Sequence, residues 1–295
     1  MVRDGATKGT PMTRILAFID GSAYSASVCD HAAWVATRAG AGVDLVHVLG
    51  RRDAAGEPAN LSGNIGLGAR TALLEELADL DARNAQVAQK RGRVILEEAK
   101  ARLTEIGVAD VTAKLRNGDI VEAVQDFEDG ADLIVIGKRG EAADFATLHL
   151  GSNLERVVRA SKRPMLVAAR AYRPVERVLV AFDAGKSALK AIDHMAASPL
   201  FAGLAVTLLT VGAETAEARK RLAEAEGKLA AAGLAVTTDI VEGEPETVIA
   251  DRIAADGIDL LVMGAYGHSR IRSLIIGSTT SAMIRSCTVP VMLFR

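Results

Sequence analysis

Arg14-Ile-Leu-Ala-Phe-Ile-Asp20 and Arg177-Val-Leu-Val-Ala-Phe-Asp183 decide the fold. Each is an arginine, five apolar residues and an aspartate, and they lie 163 positions apart. Leu45-Val-His-Val48 keeps the same offset to Leu208-Leu-Thr-Val211. Further on the offset drops: Val111–Gly118 matches Val236–Gly243 at 125, Asp132–Gly137 matches Asp259–Gly264 at 127, and Lys162–Val167 matches Thr288–Leu293 at 126. One unit therefore occurs twice. The first copy carries 38 extra residues between Val48 and Val111.

Each copy alternates strands with helices. In the first, short continuous apolar runs predict strands at Ile15–Ile19, Val43–Leu49, Val111–Arg116, Leu133–Ile136 and Met165–Ala168. Such runs suit strands buried on both faces. Helical patterns fill the gaps at Ser25–Ala39, Ala82–Ile106, Ile120–Asp129 and Ser152–Ser161, with Gly40, Gly107 and Gly130 as stops. Strand–helix alternation with short links predicts a parallel sheet covered on both faces, hence an α/β fold of two tandem five-stranded domains. The domains are expected at 12–170 and 176–295, joined across Arg170–Glu176 with its Pro174, and the first holds the extra segment 50–90. Within that segment a helix is read at Thr71–Leu80, preceded by a lid or surface loop. A bare terminal strand at Val289–Phe294 would invite aggregation. Its pairing with Met165–Ala168 predicts an intramolecular pseudo-dimer, to which a true homodimer could be added.

Composition narrows the function. A length of 295 residues suggests about two domains, and 49% hydrophobic with 24% charged residues gives ample core material. The net charge of −2 lacks the basic excess of a nucleic-acid binder, and one Trp, three Tyr and six Phe leave few stacking platforms. Two cysteines, Cys29 and Cys287, exclude a disulfide-built or cysteine-rich zinc module. The polar N-terminal segment is followed by an apolar run too short for a signal-peptide core. His194–Ala213 is 20 residues without a formal charge, yet Ser198, Pro199 and Gly203 break it into a helix end, a loop and a strand. A cytoplasmic protein without a membrane partner is the expectation.

The richest segment is Gly264-Ala-Tyr-Gly267, nine residues including His268, Arg270 and Arg272, then Gly277-Ser278-Thr279-Thr280. It follows a buried strand and precedes a helical pattern. Glycines admit close backbone approach, a helix start offers N–H groups and a positive dipole end, and hydroxyls add donors. Together these fit a phosphate cradle; a turn followed by a capped helix is the alternative.

The spacing Gly-x2-Gly-x9-Gly-Ser, in this five-strand order, resembles the ATP-binding pattern of the universal stress protein (UspA) family. Asp183 and Val211, ending the first and second strands of that copy, match as well. The resemblance covers nearly the whole chain as two tandem family domains. It implies an adenine-nucleotide alpha hydrolase-like, Rossmann-like sheet that binds ATP, as Mg-ATP, without a Walker loop, with AMP or ADP as alternative ligands. Carried over, Asp183 holds ribose or lies beside adenine, Val211 and Met263 line the adenine pocket, and Gly264 and Gly267 run under ribose and phosphates. Gly277, Ser278, Thr279 and Thr280 bind the phosphates. The metal is expected to arrive with the nucleotide. Gly264→Val is expected to fill the space under the ribose and leave the fold intact.

The first copy departs from this pattern. Its positions are Asp20, Val48, Gly137, Gly140, Gly151 and Ser152, but ten residues, not nine, separate Gly140 from Gly151. Asn153 and Leu154 replace the two threonines, and Glu141 and Asp144 bring negative charge, offset by Lys138 and Arg139. Nucleotide binding there and a degenerate domain both remain open.

Other motifs fail on spacing. Gly185-Lys186-Ser187 looks like a P-loop end, but Val180 stands where its first glycine belongs. Gly66-x-Gly68 has neither a preceding strand nor a third glycine. Cys29 and His31 lie two apart on a helix, a poor metal spacing, and His47 reads as a core or pocket-lining imidazole. His268-Ser269 has no orienting acid for a triad. The leading expectation is a nucleotide-dependent stress-response module. No general base for the γ-phosphate is identifiable, so at most slow hydrolysis is expected. A scaffold without nucleotide, or an adenylating or ATP-cleaving enzyme, are the alternatives.

Overall fold

The apolar runs become strands because alternate side chains can be buried on opposite faces of one sheet. In the computed structural model, which describes residues 12–50, 67–138, 152–265 and 278–295, ten strands form that sheet. The first five are β1 (Arg14–Ile19), β2 (Gly42–Leu49), β3 (Val111–Asn117), β4 (Leu133–Gly137) and β5 (Met165–Ala168). The second five are β6 (Arg177–Ala181), β7 (Ala205–Val211), β8 (Ala235–Val241), β9 (Leu260–Gly264) and β10 (Val291–Phe294). Their spatial order is β3-β2-β1-β4-β5-β10-β9-β6-β7-β8. All pairings are parallel except β5 with β10, where Val167, Leu166 and Met165 face Val291, Met292 and Leu293 in antiparallel register. The anticipated pairing of the two last strands is thus observed, and it joins both repeats into one sheet.

The helices are α1 (Ser25–Ala39), α2 (Leu67–Ile106), α3 (Ile120–Phe127), α4 (Ser152–Ala160), α5 (Lys186–Ala197), α6 (Ala216–Ala231), α7 (Pro245–Asp256) and α8 (Ser278–Ser286). Ile15, Ala17 and Ile19 face α1, α2, α5 and α6, whereas Leu16 and Phe18 face the layer of α3, α4, α7 and α8. Local chemistry sets the ends. Gly40 and Gly257 stop α1 and α7 in the left-handed conformation, and the Asp119 carboxylate caps α3 by accepting from the Val121 N–H at 2.8 Å.

One expectation is corrected. Thr71–Leu80 and Ala82–Ile106 are not two helices but parts of α2, which runs unbroken for 40 residues. The residues around Asp81 are good helix formers with no glycine or proline, so nothing there stops the helix. The loop expected ahead of it, 51–66, lies outside the described residues. His194–Ala213 resolves, as read, into the end of α5, a 3₁₀ turn at Pro199–Phe201 and β7. Among the described residues no helix is long and apolar enough to cross a membrane.

Cationic side chains tie the repeats together across the seam. Lys138 Nζ donates to the Cys287 carbonyl at 2.7 Å, and Arg295 Nη1 to those of Arg159 and Ser161 at 2.7 and 3.0 Å. Arg38 donates to the carbonyls of Leu200 and Ala202. Charge-assisted bonds of this kind are the stronger class of hydrogen bond.

Candidate nucleotide site

Chain direction brings the candidate residues together. In each repeat the first strand sends its crossovers to both sides, so the order reverses between β6 and β9, and between β1 and β4. In open α/β sheets that reversal opens a crevice at the carboxyl ends of the strands. Ala181 pairs with Leu209 and with Met263, so Asp183, Val211 and Gly264 all reach this edge of the second repeat. Ile19 with His47, and Phe18 with Ile136, place Asp20, Val48 and Gly137 equivalently in the first.

The turn after β6 is shaped by its own side chain. Asp183 Oδ1 accepts from the Gly185 N–H at 2.8 Å, as Asp20 Oδ1 does from the Ser22 N–H at 3.0 Å. Between them Ala184 sits at φ 55°, a left-handed conformation that Gly21 (φ 78°) adopts without cost in the first repeat. Lys186, the P-loop decoy, is exposed and opens α5.

Beside this turn lies a cavity of about 270 Å³, lined by Phe182, Asp183, Ala184, Thr210, Thr215, Glu217, Ala218 and Arg221. Arg221 pairs with Glu217 at 2.6 Å and holds that carboxyl below the usual carboxylate range. Thr210 donates to the Phe182 carbonyl at 2.9 Å. Sequence reasoning singled out none of the α6 residues on this wall. Leu222, Ala225 and Leu229 match Leu96, Ala99 and Leu103 at an offset of 126, all six buried, which is the signal that aligns α6 with α2.

That alignment exposes how the repeats differ. His47 takes the place of Thr210, Gly92 that of Ala218 and Ile95 that of Arg221. His47 is buried, with Nδ1 2.8 Å from the Ile19 carbonyl. A Cβ on Gly92 would come within 2.8 Å of the His47 ring, and one on Gly21 within 2.6 Å of Ile95. So α2 closes tightly over β1 and β2 where the second repeat keeps a cavity with mixed polar and apolar walls.

The loop side is only partly described. Gly267, Gly277, Gly140 and Gly151, with His268, Arg270, Arg272 and His149, lie outside the described residues. Ser278 and Ser152 begin α8 and α4. Thr279 is half-buried, whereas Thr280 is buried and donates to the Gly264 carbonyl at 3.2 Å, tying the start of α8 to the end of β9. Met263 is buried in the core beneath α7 and α8, and the half-buried Val211 packs against the same core.

Gly264 corrects an expectation. A Cβ there would lie 2.9 Å from Ser187 Cβ and 3.4 Å from the Ala188 N. This glycine seats the first turn of α5 on β9, so a valine at this position strains the fold as well as the site.

The remaining candidates read as structure. Cys29 and Cys287 are buried free thiols, and burial pushes Cys29 up to about 12. No group of three or more His, Cys, Asp or Glu that could hold a metal occurs among the described residues.

These features define a class: a doubled parallel α/β protein with its crevice at the sheet's carboxyl edge. The family model described as the universal stress protein family matches residues 12–169 and 211–295, and the chain belongs to that family. It is 37% identical over 287 residues to the universal stress protein Slr1230 of Synechocystis sp., spanning 96% of this chain and 100% of that protein. In fold it is similar to a universal stress protein from Archaeoglobus fulgidus, with TM-score 0.73, 21% identity and 96% and 98% of the two chains covered. It is also similar to the functionally unknown protein PA1789 from Pseudomonas aeruginosa, with TM-score 0.61, 16% identity and 96% and 92% covered.

Proposed function

We propose that the second repeat binds one adenine nucleotide, ATP carried with Mg²⁺, and that the chain is a cytoplasmic stress-response module switched by that ligand. One observation carries the reading: Asp183, Val211, Gly264 and the N-terminus of α8 converge on one crevice, beside a cavity of about 270 Å³ with mixed polar and apolar walls. A cavity of that size suits part of a small-molecule ligand, and a helix N-terminus suits its phosphates. Asp183 serves the ribose, Val211 and Met263 the adenine through their backbone, and Gly264, Gly267 and Gly277 the close approach of the chain. Ser278 and Thr279 serve the phosphates, with Thr280 positioning α8. ATP turnover by this module is at most slow, and AMP or ADP occupy the same crevice.

A second reading applies to the first repeat. Ile95 against Gly21 and Gly92 against His47 favour a degenerate domain that supports its twin and holds no nucleotide at Asp20, Val48, Gly137, Gly140, Gly151 and Ser152. Titration calorimetry of Mg-ATP into the full chain, after mass spectrometry of any nucleotide released on denaturation, tests both. One nucleotide per chain supports the proposal. Two per chain overturn the reading of the first repeat. No binding to folded protein, with none co-purified, overturns the nucleotide role and leaves the scaffold.

A further inference from the structure

Helix α2 has 40 residues where its counterpart α6 has 16. The offset of 126 aligns Lys90 with Ala216, so Leu67–Gln89 is helix without an equivalent in the second repeat. At 1.5 Å per residue it adds roughly 35 Å. Along it Leu73, Leu80, Val87 and Val94 recur every seventh residue, with Leu77 and Asn84 four after the first two. Leu80, Val87 and Val94 are 50%, 64% and 56% exposed. The helix packs on its own body through another stripe, Gly92, Leu96, Ala99 and Leu103. The heptad row, with Leu77 and Asn84, lies about a third of a turn round from it, at 3.6 residues per turn.

A seven-residue apolar repeat is matched by another helix, with knobs entering holes, and a polar residue among the core positions fixes register. The charges select which helix and which direction. Glu75, Glu76, Asp79 and Asp81 form an acidic block, followed by a basic block of Arg83, Lys90, Arg91 and Arg93. Two copies in parallel would oppose like charges; two copies antiparallel oppose acidic to basic.

We propose that the α2 extension pairs antiparallel with the same segment of a second copy of this chain. Leu77 then packs on Val87 of the second copy and Leu80 beside its Asn84, with Glu76 opposite its Lys90. The juxtaposition follows from the heptad positions and is independent of any nucleotide. It makes the assembly an isologous dimer of tandem chains.

Sedimentation velocity of the full chain over a concentration series tests this. The wild type is expected to shift from monomer to dimer as concentration rises. Leu80→Asp, at an exposed position, is expected to abolish the dimer with an unchanged circular dichroism spectrum. Glu76→Lys and Lys90→Glu should each weaken dimerisation by about tenfold or more, because each creates two like-charge contacts across the axis. An equimolar mixture of these two variants should restore it. A wild type monomeric throughout overturns the proposal, as does a dimer indifferent to Leu80→Asp. Failure of the mixture to recover overturns the antiparallel pairing. Binding of anionic vesicles by a monomeric chain would assign the row to a lipid surface instead.

Discussion

Ser187 occupies the space that a side chain on Gly264 would need: its Cβ lies 2.9 Å from where a Cβ on that glycine would be. The two residues are 77 positions apart in sequence and come together because α5 starts over the end of β9. Gly264→Val is therefore expected to cost about 1–3 kcal/mol in overpacking. Thermal or denaturant unfolding reads the loss, and adding Ser187→Gly should recover part of it. A Gly264→Val protein as stable as wild type would remove the packing role.

Ala184 holds a left-handed conformation at φ 55° that its counterpart Gly21 holds with a residue suited to it. Ala184→Gly relieves that strain but loosens the unfolded chain, two opposed effects of about 1 kcal/mol each. Since the turn is also fixed by the Asp183–Gly185 hydrogen bond, relief should win, raising stability by up to about 1 kcal/mol. A fall in the denaturation midpoint would contradict this.

The two cavity walls can be exchanged. Thr210 and His47 bond equivalent carbonyls, those of Phe182 and Ile19, and the His47 ring is accommodated by Gly92. The double variant Thr210→His with Ala218→Gly should therefore fold while filling the cavity. Mg-ATP affinity by calorimetry is expected to fall about tenfold or more, the scale of one lost contact set near 1.4 kcal/mol. Unchanged affinity would place the nucleotide elsewhere.

His31 and His194 lie at equivalent positions, 163 apart; His31 is buried and His194 half-buried, and each has a buried Nε2 with no hydrogen-bond partner among the described residues. His31 meets the Tyr172 ring edge-on at 5.1 Å, and His194 packs on Phe201 and Phe294. Burial lowers the pKa of both, opposed at His31 by the Ser27 carbonyl. The unfolded chain thus takes up protons near 6.5 that the folded chain refuses, so stability is full above that pH and falls as pH drops below it. The depressed carboxyls of Asp44 and Asp119 act only around and below their ordinary value of 3.8. Denaturant unfolding at pH 7.5 and 5.0 should reveal the loss, and His31→Leu with His194→Leu should flatten it. A wild type equally stable at both values would refute the assignment.

Much of this was legible in the sequence. The repeat offsets located ten strands: the inner ones are apolar runs that leave a local mark, whereas the edge strands β3 and β8, only partly buried, show through the match between the repeats. The pairing of the two last strands followed from the hazard of a bare terminal strand, while its antiparallel direction came from the tertiary structure. Gly264 stands out in the sequence because it directly follows a buried strand; Asp183 and Val211 were singled out by the resemblance to the universal stress protein family, and strand ends in a parallel sheet share one edge. Helix α2 runs on through Asp81, where the sequence reading has one helix end and another begin, because nothing there stops a helix.

The amino-acid sequence by itself determined the doubled parallel sheet and the edge at which its crevice lies, since periodicity and strand direction are local properties. Only the tertiary structure decided what each position at that edge is for. Gly264 makes room for Ser187, Thr280 binds the Gly264 carbonyl, and Gly92 and Ile95 close on His47 and Gly21. Those roles depend on distances between residues far apart in the chain, which packing sets and which no run of neighbouring residues encodes.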